Sequence, residues 1–345
     1  MDKFSQLYPI NPKLKNNYYV LGKLSGPTSI SLDVTTKCNL KCVHCFNNSG
    51  GVDSSQDLTN EELLNVSEQI VELSPMSVCL CGGEPLLRDN LFEIAKTISG
   101  NVGALNMVCN GYAMNQGIAD KLAYYGFSMI QISLDGINRF QHDSFRGVRG
   151  AYERATNAIK YLKNAGIDKI ATSLVPNLLN YKSFPEYVDM CCELGVDVIR
   201  IMPFIPMGRG LSMGRNLILD EEQMFIFLRA LSTAQVSYIG SITIEWGDPL
   251  DHMRRMPGNA FNDLMANSME VKANGDISVT PYLPIVVGNV KKHSLKDYWE
   301  HGYNYVWRNP EILCHTEKIH NIYDFESFEP TPYTGEKIIV DIFDK

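Results

Sequence analysis

The 345-residue sequence contains no run of about 18 apolar residues free of charge, so nothing in it reads as a membrane-spanning helix. Its opening, MDKFSQLYPINPKLKNN, lacks the basic-then-apolar order of a secretory signal. Lys and Arg are nowhere gathered into a basic face. With 31 of them against 39 Asp and Glu, the formal net charge is −8, which argues against nucleic acid as the main partner. Internal repeats and low-complexity segments are missing, which excludes solenoids and repeat arrays. The nine cysteines are odd in number and three of them form one tight triplet, so a disulfide framework is not indicated. A reducing, cytoplasmic setting is the expectation.

What the chain does have is alternation. From residue 28, short apolar runs alternate with longer amphipathic ones. Strands are expected at 28–35, 76–80, 104–109, 128–134, 168–175 and 196–204, with helices at 60–74, 90–99, 115–125, 150–166 and 181–195. Thr59 with Glu62 three residues on is a capping-box signal for the first helix. Strands separated by helices of 10 to 15 residues indicate parallel βαβ units with right-handed crossovers, an α/β fold of partial (β/α)6 barrel type. Beyond Gly208-Arg209-Gly210 the pattern changes: a helix at 220–234, a strand at 241–246, a Pro/Gly/Met-rich stretch at 248–258, and a hairpin at 268–280 turning on Asn274-Gly275.

In parallel α/β sheets the working residues gather at the carboxyl ends of the strands. Each unusual cluster here falls there. TTKCNLKCVHCFNNSG follows strand 1, with Cys38, Cys42 and Cys45 spaced C-x3-C-x2-C. Three thiolates are too few for a closed tetrahedral site, so they hold either an iron–sulfur cubane with one open iron or, with a further ligand such as His44, a zinc ion. His44 abuts Cys45, which makes joint ligation awkward. Gly82-Gly83-Glu84-Pro85 follows strand 2, either as an ordinary turn or as a loop presenting a carboxylate to an ammonium group. Ser133 and Asp135 in ISLDG share one face at the end of strand 4, where they either cap the strand or meet a ribose or an amino-acid head group.

CNLKCVHC, GGEPLL, CNGYAM, ISLDG and HDSFRGVRGAYERATNAIKYL, in this order, resemble the radical S-adenosylmethionine superfamily, and within it the enzymes with a C-terminal SPASM or twitch extension. The resemblance implies one [4Fe–4S] cluster on Cys38, Cys42 and Cys45, its fourth iron chelated by S-adenosyl-L-methionine. It implies cofactor contacts at Gly82, Gly83 and Glu84 for the methionyl ammonium, at Asn110, at Ser133 and Asp135 for ribose and carboxylate, at Arg146 for the carboxylate, and at His44, Phe46 and Met202 around the adenine. It further implies reductive cleavage to a 5′-deoxyadenosyl radical, hydrogen abstraction from substrate, and a flavodoxin- or ferredoxin-type reductant. Many such enzymes modify ribosomal peptides, so a peptide precursor undergoing epimerisation or crosslinking is the leading substrate expectation, and a sugar, nucleoside or amino acid the alternative. The 27 residues before strand 1 are too few for a precursor-recognition domain, which weighs somewhat against a peptide.

The sequence also departs from that pattern. Pro281-Tyr282 stands where the extension is expected to carry a cysteine ligand, and only Cys314 lies beyond residue 192, so the extension is expected to lack an auxiliary cluster. Cys81 and Cys109 replace more usual hydroxyl residues and are either small hydrophobes, the favoured reading, or hydrogen-atom donors; Cys314 is a candidate donor with the same ambiguity. Trp246, Asp248, His252 and Tyr282 come from the stretch expected to cover the barrel mouth. The expected organisation is an N-terminal extension (1–27), the barrel (28–235), a twitch-like unit (236–324) and a tail (325–345).

Overall fold

Period-two alternation decides which way each strand faces, and in this chain it separates an apolar outer face from a polar inner one. The computed structural model describes residues 25–247, 249, 268–327 and 337–343. The strands are β1 (Ser29–Asp33), β2 (Ser77–Cys81), β3 (Ala104–Cys109), β4 (Phe127–Ser133), β5 (Lys169–Leu174), β6 (Val198–Ile201) and β7 (Thr243–Trp246), followed by β8 (Ser268–Val271), β9 (Asp276–Ser278), β10 (Ile285–Asn289) and β11 (Ile338–Ile339). Ile30 and Leu32 of β1, Val78 and Leu80 of β2, and Leu105 and Met107 of β3 are buried in the main core. Ser31, Asp33, Cys79, Cys81, Gln131 and Ser133 occupy the alternate positions and face a cavity instead.

The helices form from the expected pattern. Asn60–Leu73 buries Leu63, Val66, Ile70 and Leu73 along one stripe, and its capping box on Thr59 and Glu62 is complete. Each fully buried Leu or Ile of this kind contributes about 1.5–3 kcal/mol. The helix Arg139–Arg146, capped by Asn138 and ended by Gly147 at φ +71°, is among those with no counterpart in the expected pattern. Its buried face is Gln141, His142, Phe145 and Arg146, so a search for apolar periodicity misses it.

β1 to β7 pair in sequence order, all parallel. The sheet is open and has 11 strands, in the order β11-β10-β9-β8-β1-β2-β3-β4-β5-β6-β7. Two placements extend the six-strand expectation. β7, grouped by the sequence pattern with the C-terminal unit, pairs parallel to β6. The hairpin of β8 and β9 does not stand apart either, because β8 pairs parallel to β1, Ile30 opposite Met269. The hydrogen-bonded sheet therefore takes in strands on both sides of residue 235. Gly275, at φ +90°, makes the turn expected at Asn274-Gly275.

A candidate cofactor site on the cysteine loop

The loop after β1 is fixed from three sides. Asp57 accepts from the Thr35 hydroxyl (2.8 Å) and from the Thr36 amide and hydroxyl (both 2.9 Å). Arg209, nearly buried, donates to the Cys42 carbonyl (2.8 Å), the Asn48 side chain (2.8 Å) and the Ser49 carbonyl (3.0 Å). The third side is the Gly82-Gly83 turn. Gly83 and Glu84 amides donate to the Thr35 and Lys37 carbonyls at 2.7 and 2.8 Å. A Cβ on Gly83 would lie 2.1 Å from the Lys37 oxygen, so only glycine admits this approach. The glycine pair thus serves the loop that carries the cysteines.

Behind that loop lies a buried polar arch. Glu84 is wholly buried and accepts from the Asn110 amide (2.7 Å) and the Leu86 amide (3.2 Å). Burial pushes its carboxyl up to about 7 against the pull of those amides and of Arg146. Asn110 in turn points its amide nitrogen at Asn39 (2.8 Å) and at the Cys38 sulfur (3.9 Å). Asp135, also wholly buried, holds the Arg146 guanidinium at 2.5 Å and accepts the Val175 amide at 2.8 Å. Burial alone would lower Arg146; Asp135 and Cys42 outweigh it and keep the guanidinium raised and charged. Arg146 reaches the Cys42 sulfur at 3.7 Å. As free thiols, Cys38 is pushed up by burial to about 11 and Cys42 is likewise raised by burial, with Arg146 pulling back. A bound cationic centre would reverse that cost by favouring the thiolates.

All three thiols open onto one cavity of about 600 Å³. Of the other residues singled out in the sequence, His44, Phe46, Gly82, Gly83, Cys109, Asn110, Ser133, Arg146 and Met202 line it, as do Cys81, Trp246 and Tyr282. Tyr282 packs on Phe46 with ring centroids 5.9 Å apart, and its hydroxyl lies 3.9 Å from the Met202 sulfur. Glu84 and Asp135 are in the walls behind, their carboxylates engaged as above, so they act by holding Asn110 and Arg146 and do not themselves line the cavity. Cys314 is exposed on the helix Pro310–Thr316 and donates to the Glu311 carbonyl (3.0 Å); the fold does not bring it to the cavity. Asp248 and His252 lie outside the described residues.

Sequence reading missed several lining groups. Glu270 from β8 and Lys272 just after it join Asp33 in the wall, Lys272 Nζ standing 3.4 Å from the Asp33 carboxylate. Burial pushes Glu270 up to about 7, with Lys272 pulling it down and Asp33 pushing it up. Arg200 pairs with Glu245 at 2.9 Å across β6 and β7. Charged residues at alternate positions of a strand were the available signal, and it becomes legible only when the neighbouring strand is known.

The cysteine loop fits a prosthetic group. Among the described residues four buried polar side-chain atoms have no hydrogen-bond partner; three of them, His44 Nδ1, Asn47 Oδ1 and Ser49 Oγ, belong to this loop and to residues lining the cavity. Burial, then Arg146 and Arg209, hold His44 well below its ordinary range, so it is a neutral ring, stacked on Phe145 at 4.0 Å. In a cubane held by three thiolates each sulfur takes its own iron and the fourth iron stays open, which matches the count of three cysteines on this loop.

Comparisons with known proteins agree with this chemistry. Residues 32–191 match the model of the Radical SAM superfamily. A pre-heme d1 synthase of Dinoroseobacter shibae is 36% identical over 178 residues, 52% of this chain and 44% of the relative, so the chain matches less than half of that protein's length. An AdoMet-dependent heme synthase of Methanosarcina barkeri is 25% identical over 85% of this chain and 88% of its own. Among solved structures, SuiB of Streptococcus suis bound to S-adenosylmethionine superposes with a TM-score of 0.66 at 18% identity, over 82% of this chain and 67% of SuiB. Its complex with the precursor peptide SuiA gives 0.64 at 18% identity, over 82% and 66%. At that identity the likeness concerns the fold.

Proposed function

We propose, for a chain whose residues 32–191 match the Radical SAM superfamily model, that Cys38, Cys42 and Cys45 hold three irons of a [4Fe–4S] cluster and leave the fourth for S-adenosylmethionine, the cofactor pair that superfamily uses. When bound, that pair supplies one-electron cleavage of the sulfonium and, with it, a carbon-centred radical able to take a hydrogen atom from substrate. The observation that carries the reading is the set of three thiols and three unpartnered polar atoms on one loop facing one cavity.

The chain's own residues then have definite tasks. Arg209 and Asp57 fix the loop, so the ligands are held before the metal arrives. Arg146, locked by Asp135, presents a permanent positive charge to the cavity and suits a carboxylate such as the methionyl one. Asn110, oriented through its amide by Glu84, offers a neutral polar edge. Phe46, Met202 and Tyr282 form an apolar wall that suits a purine and excludes water. Cys109 is buried and its thiol raised well above the usual range by burial, so it stays S–H beside the reacting volume.

The test is anaerobic reconstitution followed by iron and sulfide analysis and a search for 5′-deoxyadenosine after dithionite reduction. Four irons per chain and nucleoside release, both abolished in Cys42→Ala, are expected. A colourless zinc protein, or fully loaded protein that leaves S-adenosylmethionine intact, overturns the reading.

For the substrate, the proposal is a peptide precursor, supported by the fold shared with SuiB, which was solved with its peptide SuiA. The alignment with a heme synthase along nearly the whole chain favours a second reading, a carboxylate-bearing haem precursor. Deuterium transfer into 5′-deoxyadenosine separates them: a labelled peptide encoded beside this gene gives transfer under the first, labelled macrocycle propionates under the second.

A further inference from the structure

The cysteine loop has a second side. Away from the cavity described above lies another, of about 320 Å³, lined by Tyr112, Met114, Arg149, Arg154, Asn157 and Tyr161 among others. Arg149 and Arg154 are exposed, and neither has an ion-pair partner among the described residues; the one acidic group in the lining, Glu153, is paired with Arg139. Arg154 lies over the Tyr112 ring at 5.6 Å. Lys41, on the neighbouring stretch, turns its ammonium to the Gly50 carbonyl and is not part of the lining. On a chain of net charge −8 this is a cationic island.

Its position is the informative part. Tyr112 packs against a small buried group, Leu40, Cys42 and Ala151, together with Cys38 and Cys45. The Tyr112 amide donates to the Asn110 side-chain oxygen at 2.8 Å, and the nitrogen of that same amide group lies 3.9 Å from the Cys38 sulfur. One layer of side chains therefore separates a basic, aromatic-walled depression on the surface from the sulfurs. The cavity lined by Arg200, Lys272 and Tyr282 is a separate opening. The residues that would meet substrate and those of the basic depression are distinct sets, apart from the loop between them.

We propose that the depression at Arg149, Arg154 and Tyr112 is the docking surface for an acidic one-electron donor protein of the flavodoxin or ferredoxin class, and that Tyr112 and Asn110 form the contact route from it to Cys38. This rests on the cluster assignment made above. The step is a single electron transfer: the donor is oxidised by one electron, the oxidised cluster is reduced by one, and no bond or proton changes hands. Complementary charge at such a surface acts mainly on association rate and its salt dependence.

The test compares reconstituted wild type with Arg149→Glu/Arg154→Glu and with a control reversal on another helix, Arg229→Glu. Each is driven either by reduced flavodoxin or by dithionite, and binding of oxidised flavodoxin is followed by calorimetric titration. The double variant is expected to weaken flavodoxin binding and raise its KM by about tenfold or more, to lose the wild type's salt sensitivity, and to keep its dithionite-driven cleavage. The control should match wild type in both arms. Flavodoxin binding unchanged in the double variant, or lowered as much by the control, overturns the docking surface and leaves the cluster reading intact. Wild type inactive with dithionite overturns both.

Discussion

Asp135 has both carboxylate oxygens occupied, one by Arg146 and one by the Val175 amide, and none of its surface reaches solvent. Replacing it with Asn keeps the shape and removes the charge, leaving a buried guanidinium uncompensated. Asp135→Asn is expected to lower stability by about 3–5 kcal/mol, read from the urea midpoint of the anaerobic protein. An unchanged midpoint would mean that Arg146 finds another partner. Glu270 gives a pH dependence of known sign. Its folded carboxyl stands at about 7 against an ordinary 4.5, raised first by burial, while Lys272 and Asp33 pull in opposite directions; Cys79 and Cys81 also line this cavity wall, and Tyr303 lies close by. The folded state thus keeps a proton that the unfolded state has released. Stability from this group is full below about 4.5 and is lost as the pH rises through about 7. Urea unfolding between these limits should show wild type falling relative to Glu270→Gln; parallel curves would mean that the carboxyl ionises normally.

The hairpin of β8 and β9 gives the site part of its wall and gives β1 a neighbour. Because β8 pairs in parallel with β1 from Ser29 to Leu32, removing it bares the backbone of a strand that otherwise sits inside the sheet. It also removes Lys272 and Glu270 from the cavity. A chain ended at residue 267 is therefore expected to aggregate, since an uncovered edge of this kind pairs with other chains. Size-exclusion chromatography would show it; a monomeric, cooperatively unfolding truncation would mean that β1 needs no partner. The helix Arg139–Arg146 carries a related lesson. Its buried residues are mostly polar because they hold Asp135 and the cysteine loop, so its sequence has the composition of a surface loop while its packing is that of a core element.

Across the whole molecule, the α/β alternation, the parallel order of the first six strands and the gathering of Cys38, Gly82, Asn110 and Ser133 at strand ends were legible in the sequence. Those signals are local: strand and helix periods, a capping box, and turn residues record their meaning within a few positions of themselves. The likeness of residues 32–191 to the Radical SAM superfamily model was legible for the same reason, since its motifs are short and ordered. Three things were decided only by tertiary structure. The sheet extends past residue 235 through β7, and β8 closes against β1, because pairing depends on which edges remain free after the helices have packed. Glu84 and Asp135 lie behind the wall, with Asn110 and Arg146 in it, because a carboxylate's role depends on which donors reach it. Cys314 stays outside while Lys272 comes in, because the facing of a distant segment is set by a strand register to which its own residues contribute only half.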